Sequence, residues 1–316
     1  MKAHTGGFLD LEPRFSDPES AAVVILPVPY EGGVSYGRGA AQGPAAVISA
    51  SSEVELYDEV LDREPYRMGI ATAEPPEGLQ GAEDMNKGVY SAALSIASAR
   101  QLPVGLGGDH SISPAFFHAL QHSYGAASVI QFDAHSDLRE TYDGTPYSHA
   151  CTMSRIRRLT KDTLQIGIRS LCLEEACLVK SERVPLCTME AFRTGAFDLQ
   201  GAISALPDPV YLTMDVDVLD WSVVWSTGTP EPGGFVWHEI IELLQLIFSK
   251  RMVIGFDVVE LSCGPEDINS AFAVARLVYK MLGFWLNSLV QRGMTGWPLK
   301  PSGPLIRMEE AAPDRG

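Results

Sequence analysis

The segment ASVIQFDAHSD, residues 127–137, decides the fold, because it joins a short apolar run to a cluster of ionisable side chains. Its first part, up to Phe132, has apolar residues at both odd and even positions, which indicates a strand buried on both faces. Its second part, from Asp133 to Asp137, places two carboxylates and an imidazole immediately after that strand. Ligands of parallel sheets bind outside the carboxyl ends of the strands, so this segment predicts a functional edge.

Apolar runs alternate with stretches of helical spacing over most of the chain. Strands are predicted at 21–28, 102–106, 127–133, 163–168, 210–218 and 251–259. Helices are predicted at about 44–57, 86–100, 113–121, 237–250 and 269–289. The pattern predicts an α/β fold with three α/β/α layers around a central, mostly parallel sheet. We expect a single domain over residues 1–316, with an irregular tail at about 292–316, where Pro and Gly are frequent.

Composition narrows the class of protein. The net charge of −16 argues against a nucleic-acid partner, because phosphate binding requires a basic face. The first residues contain acidic residues and Pro instead of the apolar core of a secretory signal, and no apolar run approaches the roughly 20 residues of a membrane span. The five cysteines form neither a CxxC pair nor a disulfide framework. We therefore expect a cytoplasmic protein with no membrane partner.

Three segments rich in Asp and His each follow an apolar strand. They are GGDHS (107–111), DAHSD (133–137) and the DVD of residues 215–217. Side chains alternate along an extended chain, so Asp133, His135 and Asp137 are expected to point the same way, as are the two carboxylates of DVD. Because parallel strands present their carboxyl ends on one edge, the three segments are expected to meet there.

Four carboxylates in one crevice would repel one another and could not all stay ionised without a counter-charge. Two divalent cations would supply that charge. Mixed Asp and His ligands suit manganese, with iron, cobalt or zinc as alternatives, and they are too rich in oxygen for a structural zinc site. A DxD pair alone is more often a solvated loop, and GGDH alone is more often a turn. The combination after three strands favours a pair of metal ions that activate a water molecule.

At this point the sequence resembles the ureohydrolase family, which includes arginase, agmatinase and their relatives. The resemblance extends from Gly32 to about Leu289 and rests on the motifs GGDHS (107–111), FDAHSD (132–137), SHAC (148–151), TMDVDVLD (213–220), TGTPEPGG (227–234) and GFDVVEL (255–261). The upstream segment 35–58 is most similar to the agmatinase branch.

The resemblance implies two Mn²⁺ per subunit, with other divalent metals possible. It assigns one ion to His110, Asp133, Asp137 and Asp215, and the other to His135, Asp133, Asp215 and Asp217. Asp133 and Asp215 would bridge the two ions, and Asp137 would also hold the attacking hydroxide. The resemblance further assigns proton transfer to His149 and orientation of the guanidinium to Glu260.

The reaction implied by the resemblance is hydrolysis of a small cationic guanidino substrate to urea and an amine. Agmatine, which would give putrescine for polyamine biosynthesis, is the first choice. Arginase has an Asn two places after DxHxD, and this chain has Arg139 there, which could pair with Glu140 or Asp143 or receive a substrate carboxylate. Guanidinobutyrate and aminopropylagmatine therefore remain open.

Two departures from the family pattern are Trp221, where Pro is usual, and Trp225. Local repacking is one explanation, and the other is that one indole lines the substrate pocket. A formimino hydrolase and a catalytically silent polyamine-pathway regulator are the alternative functions. The resemblance also implies a homo-oligomer, a trimer or a hexamer.

Overall fold

A computed structural model describes residues 6–264 and 267–294 of the chain. Its strands are β1 (Val23–Val28), β2 (Ile70–Thr72), β3 (Leu102–Gly107), β4 (Ser128–Phe132), β5 (Thr163–Ile168), β6 (Leu186–Thr188), β7 (Val210–Asp215) and β8 (Val253–Val259). Its α-helices are α1 (Pro13–Ser16), α2 (Gly43–Ser51), α3 (Ala82–Ser98), α4 (Ser113–Tyr124), α5 (Thr152–Ile156), α6 (Leu173–Glu182), α7 (Met189–Thr194), α8 (Leu199–Ala205), α9 (Trp237–Lys250) and α10 (Ile268–Gln291).

The eight strands form one sheet in the order β2-β1-β3-β8-β7-β4-β5-β6. The neighbouring strands of this sheet pair in parallel. The strands β3, β8, β7 and β4 are adjacent, so the segments that follow β3, β4 and β7 all emerge at the same edge near the middle of the sheet. The predicted α/β class with a mainly parallel sheet is confirmed.

The sheet is covered by helices on both faces. Along β1, Val23 and Ile25 pack into one hydrophobic cluster, and Val24 and Leu26 pack into the other, as period-two alternation requires. The first cluster contains buried residues of α2, α9 and α10, and the second contains those of α3 and α4. The apolar side chains of the strands therefore build two cores, one on each side, which gives the predicted three layers.

Three predicted elements end earlier in the structure than the sequence indicates. The helix predicted to reach Tyr57 ends at Ser51, where the Ser51 hydroxyl donates to the carbonyl of Ile48 and accepts the backbone N–H of Leu9. The strand predicted over 127–133 ends at Phe132, so residues 133–137 leave the sheet. The strand predicted over 210–218 ends at Asp215 and is followed by the 3₁₀ helix Val216–Val218. The short strands β2 and β6 and the helices α6 to α8 had no distinct sequence signal.

Residues 292–293 form a turn after α10, and the predicted tail beyond residue 294 lies outside the described residues. Within residues 6–264 and 267–294, no helix has both the length and the apolar character needed to cross a membrane.

Candidate metal centre and substrate pocket

The loop after β3 places His110 above the middle of the sheet. Gly108 has to be glycine, because a Cβ atom there would lie 1.9 Å from the carbonyl oxygen of Tyr30. Asp109 then caps the short 3₁₀ helix His110–Ile112 by accepting the backbone N–H of Ser111 at 2.9 Å, and its other oxygen accepts the N–H of Gly33 at 2.6 Å. The backbone of the loop and the Asp109 carboxylate therefore hold the loop in place without a ligand.

His110 is fully buried and faces three carboxylates. Its Nδ1 atom lies 3.0 Å from Asp133 Oδ2, 3.3 Å from Asp137 Oδ2 and 3.5 Å from Asp215 Oδ2. The same nitrogen is buried and makes no hydrogen bond that meets the geometric requirements. A buried polar atom without a partner is costly, so this nitrogen and the surrounding oxygens are suited to share a cation.

A second group lies beside the first. His135 Nδ1 is 2.9 Å from Asp217 Oδ2 and 3.6 Å from Asp133 Oδ1. The ligand atoms of His110, Asp133 and Asp137 lie within 4.8 Å of one another, and so do those of Asp133, His135 and Asp217. Asp133 belongs to both groups, so the geometry provides two adjacent positions for a metal ion that share one carboxylate.

Three of the carboxylates are oriented by the backbone. Asp133 Oδ1 accepts the N–H of His135 at 2.6 Å, and Asp215 Oδ1 accepts the N–H of Asp217 at 2.9 Å. Asp217 Oδ1 accepts the N–H of Ala134, also at 2.9 Å. In each case the second oxygen remains directed at an imidazole. The backbone hydrogen bonds thus engage one oxygen of each carboxylate and turn the other toward an imidazole, where a cation would lie.

The predicted side-chain alternation is not what brings the residues together. Asp217 lies in the 3₁₀ helix Val216–Val218, and Asp137 has a positive φ of 52°. His135 contacts Asp217, whereas Asp133 and Asp137 face His110. The six residues converge as predicted, but they do so through turns that follow the strands.

The electrostatics indicate that the cluster lacks positive charge. Burial and the charges of Asp217 and Asp133 raise the pKa of Asp215 well above its ordinary value. Burial and the charge of Asp133 raise the pKa of Asp137 to about 6. Burial would lower the pKa of His135, but the hydrogen bonds to Asp133 and Asp217 raise it to about 12. Protons are therefore attracted to the place where dications fit, and the Asp/His donor set suits such ions.

His149 and Glu260 lie together next to this cluster. His149 Nδ1 is 2.9 Å from Glu260 Oε1, and His149 Nε2 is 2.7 Å from the hydroxyl of Ser35. Glu260 Oε1 also accepts the backbone N–H of His110 at 2.8 Å, while its Oε2 is buried without a partner. Burial lowers the pKa of His149, but the hydrogen bond to Glu260 raises it to about 9. Glu260 thus contacts both the candidate proton carrier and the His110 loop.

A cavity of about 270 Å³ opens over these residues. The metal-proximal part of its wall includes His135, Asp137, His149, Asp215 and Thr229, and the outer part includes Arg139, Tyr142, Leu171, Cys172 and Glu175. The cavity is therefore acidic and polar next to the candidate metal ligands and of mixed character further out.

Arg139 has partners within the protein. Its Nε lies 3.8 Å from Glu175 Oε2, and its guanidinium lies 4.9 Å from the ring centroid of Tyr142. Glu140 forms an ion pair with Arg158 and accepts the hydroxyl of Ser154. The pairing with Glu140 that the sequence left open for Arg139 is therefore replaced by a contact with Glu175.

The two tryptophans lie on the surface. Trp221 is 43% exposed and Trp225 is 68% exposed, and their rings meet edge to face with centroids 5.8 Å apart. Neither indole contributes to the wall of the cavity over the described site. The contact favours the local-packing explanation over a role in substrate size.

Several buried polar residues next to this site were not predicted from the sequence. Gln131 donates to Asp133 Oδ2 at 2.7 Å, and Thr213 Oγ1 lies 2.8 Å from His110 Nε2. Each is an isolated polar residue in an apolar strand, two positions before a candidate ligand. That spacing puts both side chains on the same face as the ligand that follows, and it is the signal that could have identified them.

Known proteins are similar to this chain over most of its length. The sequence model described as the arginase family matches residues 21–283. The chain is 34% identical over 273 residues to the N(1)-aminopropylagmatine ureohydrolase of Synechocystis sp., covering 84% of this chain and 89% of that protein. It is 32% identical over 286 residues to the agmatinase of Pyrococcus horikoshii, covering 90% of this chain and 99% of that protein.

A solved structure agrees with the sequence comparison. The crystal structure of the agmatine ureohydrolase of Thermoplasma volcanium matches with a TM-score of 0.80 at 26% identity. The match covers 88% of this chain and 94% of that one. The similarity of fold therefore extends over most of both chains.

Proposed function

The chain belongs to the arginase family, and we propose that it hydrolyses a guanidino substrate to urea and an amine. The observation that carries the proposal is the buried pair of Asp/His groups that share Asp133, with His149 and Glu260 beside them. The related enzymes named aminopropylagmatine ureohydrolase and agmatinase support the same reaction class.

The proposed ligands are the six residues predicted from the sequence: His110, Asp133, His135, Asp137, Asp215 and Asp217. Two divalent cations held there would neutralise the four carboxylates and lower the pKa of a water molecule, so that it attacks at neutral pH. We propose Mn²⁺ because imidazole and carboxylate together suit it.

The protein's own groups would bind and orient the substrate and move the proton. Glu260 Oε2 is buried and unpartnered, so it can accept an N–H of the guanidinium, and the planar guanidinium suits a carboxylate. His149 lines the cavity and is held between Glu260 and Ser35, so it can deliver a proton to the departing amine. Asp137 Oδ2 also lies at the cavity, where it can orient the attacking water.

We propose agmatine as the substrate. Arg139 is already engaged with Glu175 and Tyr142, which disfavours a role in receiving a substrate carboxylate and so disfavours guanidinobutyrate. The acidic chain also favours a cationic substrate. Aminopropylagmatine is the second candidate, because the Synechocystis relative and a relative from Thermus thermophilus, 35% identical, carry that name.

The silent regulator is disfavoured, and the substrate panel described below tests the formimino hydrolase. A silent protein would be free to lose the buried charges at the cavity, yet the six proposed ligands, His149 and Glu260 all lie together. A cytoplasmic location and a trimeric or hexameric assembly remain predictions. Light scattering of the purified protein measures the assembly.

The decisive experiment is a substrate panel on metal-reconstituted protein. Protein depleted of metal is loaded with Mn²⁺ and given agmatine, aminopropylagmatine, arginine, guanidinobutyrate, guanidinopropionate or formiminoglutamate, and both urea and formamide are measured. We expect urea, fastest from agmatine. Formamide from formiminoglutamate, or no product from any compound, would contradict the proposal. His238→Gln, at an exposed histidine on α9, is the matched control for His149→Gln.

A further inference from the structure

Four adjacent strands each contribute one buried polar side chain to a single line across the sheet. Gln165 of β5 pairs in register with Gln131 of β4, Gln131 with Thr213 of β7, and Thr213 with Asp257 of β8. All four residues are buried, and we call them the polar row. Polar groups inside an apolar sheet are costly unless they are hydrogen-bonded, so such a row requires a physical reason.

Along β4 and β7, the polar row lies two residues before the proposed metal ligands. Asp133 follows Gln131 by two residues, directly after the end of β4, and Asp215 follows Thr213 by two residues on the same face of β7. Gln131 Nε2 donates to Asp133 Oδ2 at 2.7 Å, and His110 Nε2 lies 2.8 Å from Thr213 Oγ1. The row therefore contacts the carboxylate shared by both groups and the imidazole of the first group.

The hydrogen bonds of Thr213 determine which nitrogen of His110 carries the proton. The Thr213 oxygen lies 2.7 Å from Asp257 Oδ1 and 3.2 Å from the Ser113 hydroxyl, and its single proton goes to the nearer acceptor, the carboxylate of Asp257. Toward His110 it must therefore accept, so the proton of the neutral imidazole is on Nε2. Nδ1 is then left with a lone pair that faces Asp133 at 3.0 Å and has no hydrogen-bond partner. A deprotonated Nδ1 is what a metal ion requires.

Asp257 is held in place to accept that hydroxyl. The Tyr211 hydroxyl donates to its second oxygen, and the Tyr211 ring stacks against Phe116 and Phe117 of α4, with centroids 5.9 and 5.7 Å away. Gly105 on β3 leaves the space, because a Cβ atom there would lie 2.8 Å from the Cβ of Asp257. The carboxylate thus has a fixed place below the His110 imidazole.

The other end of the row orients an amide. Gln165 Nε2 donates to Gln131 Oε1 and to the carbonyl of Ser136, the latter at 2.6 Å. Exchanging O and N of Gln165 would place its oxygen against two acceptors, so this orientation is determined. With its oxygen turned to Gln165, Gln131 presents its NH₂ group to Asp133.

We propose that the polar row is a positioning layer for the metal centre, in which Asp257 acts through Thr213 on His110, and Gln165 acts through Gln131 on Asp133. Residues that hydrogen-bond to metal ligands fix their tautomer and direction, and their loss typically weakens metal binding about 10- to 100-fold. The inference rests on the proposed function only in taking His110 and Asp133 as metal ligands.

The test compares Thr213→Val with Thr213→Ser. Valine keeps the shape and removes the hydroxyl, whereas serine restores it. Metal-depleted protein is titrated with Mn²⁺ by calorimetry, and with Co²⁺ by visible absorption, and folding is checked by circular dichroism. We expect one of the two ions to bind about 10- to 100-fold more weakly to Thr213→Val, and serine to restore affinity to within about threefold of wild type.

The matched control is Thr72→Val. Thr72 is a buried threonine of β2 whose hydroxyl accepts the backbone N–H of Phe8 at 2.8 Å, and it is expected to leave both metal affinities unchanged. If Thr213→Val does not fold, Gln131→Met replaces it, with an expected loss of affinity for both ions because Asp133 is shared. Two ions bound with wild-type affinity by the folded variant would overturn the proposal.

The substrate panel separates this inference from the proposed function. A wild-type protein that binds two ions but releases no urea contradicts the proposed function, while the titrations of Thr213→Val still decide the role of the row. Urea release with unchanged metal affinity in Thr213→Val contradicts the positioning layer alone.

Discussion

Two clusters of buried charge in this protein are built in opposite ways. At the edge of the sheet, the four carboxylates of Asp133, Asp137, Asp215 and Asp217 surround only two imidazoles. On α10, Lys280 lies 3.2 Å from Asp58 and 2.8 Å from Glu59, and Arg276 lies 2.7 Å from Glu59. The second cluster has two carboxylates and two cations, so it is balanced by the chain itself.

The pKa directions reflect the same difference. Burial and neighbouring carboxylates raise the pKa of Asp215, whereas the hydrogen bond from Lys280 lowers the pKa of Glu59. A carboxylate next to its own cation stabilises the fold, and a carboxylate next to other carboxylates destabilises it until a cation arrives. The comparison favours a functional role for the sheet edge and a structural role for the α10 cluster.

The largest expected effect comes from removing the shared carboxylate. In Asp133→Asn we expect urea release to fall by at least about ten-thousandfold, or about 5 kcal/mol of transition-state stabilisation, because both ions lose a ligand. Steady-state kinetics and elemental analysis measure rate and metal content. Activity within tenfold of wild type would show that the cluster is not the centre of the reaction.

Breaking the balanced cluster should affect folding and leave the chemistry unchanged. Lys280→Met leaves Asp58, which is fully buried, without its cation, so we expect a loss of about 4 kcal/mol in the free energy of unfolding. Denaturant unfolding measures this loss. The folded fraction should retain two metal ions and wild-type kcat, and a loss of metal would refute the division into two independent clusters.

A smaller effect is expected at the proton carrier. His149→Gln keeps a side chain that can hydrogen-bond but removes proton transfer, so kcat should fall about a hundredfold, near 2.7 kcal/mol. Metal affinity should not change, because His149 contacts Glu260 and Ser35 and no proposed metal ligand. An equal loss of kcat in His238→Gln would show that the effect is not specific to His149.

The smallest effect is expected at the exposed part of the balanced cluster. The Glu59 side chain is 59% exposed, so Glu59→Gln should cost less than about 1 kcal/mol of stability. Lys280 lowers the pKa of Glu59, so the ion pair stabilises the fold fully when the pH is above 4.5, the ordinary pKa of a Glu side chain. This stabilisation is lost as the pH falls through the lowered pKa. Thermal unfolding at several pH values should show the two proteins converging in acid.

The sequence identified the fold class and the six clustered residues because these depend on local patterns. The strand Thr163–Ile168 and the helix Trp237–Lys250 lie at their predicted bounds, since apolar periodicity alone defines them. The His and Asp residues at strand ends could be predicted to meet, because parallel strands share a carboxyl edge.

The details that were missed depend on tertiary contacts. The end of α2 at Ser51 follows from its hydrogen bond with Leu9, 42 residues away, which no local pattern contains. The partners of Arg139 depend on α6, and the polar row depends on strand order, since β7 lies between β4 and β8 although it follows β6 in the chain. Only the folded sheet places Gln131, Thr213 and Asp257 side by side.

The comparison between the two clusters is tested most directly by the thermal unfolding midpoints of Asp215→Asn and Asp58→Asn, each measured with Mn²⁺ and with a chelator. Asn at 215 can still accept the N–H of Asp217, so the substitution removes charge and little else. Asp215→Asn should raise the midpoint above wild type in chelator and lower it with Mn²⁺, whereas Asp58→Asn should lower it equally in both. A midpoint that Asp215→Asn lowers by the same amount in both conditions would contradict the account.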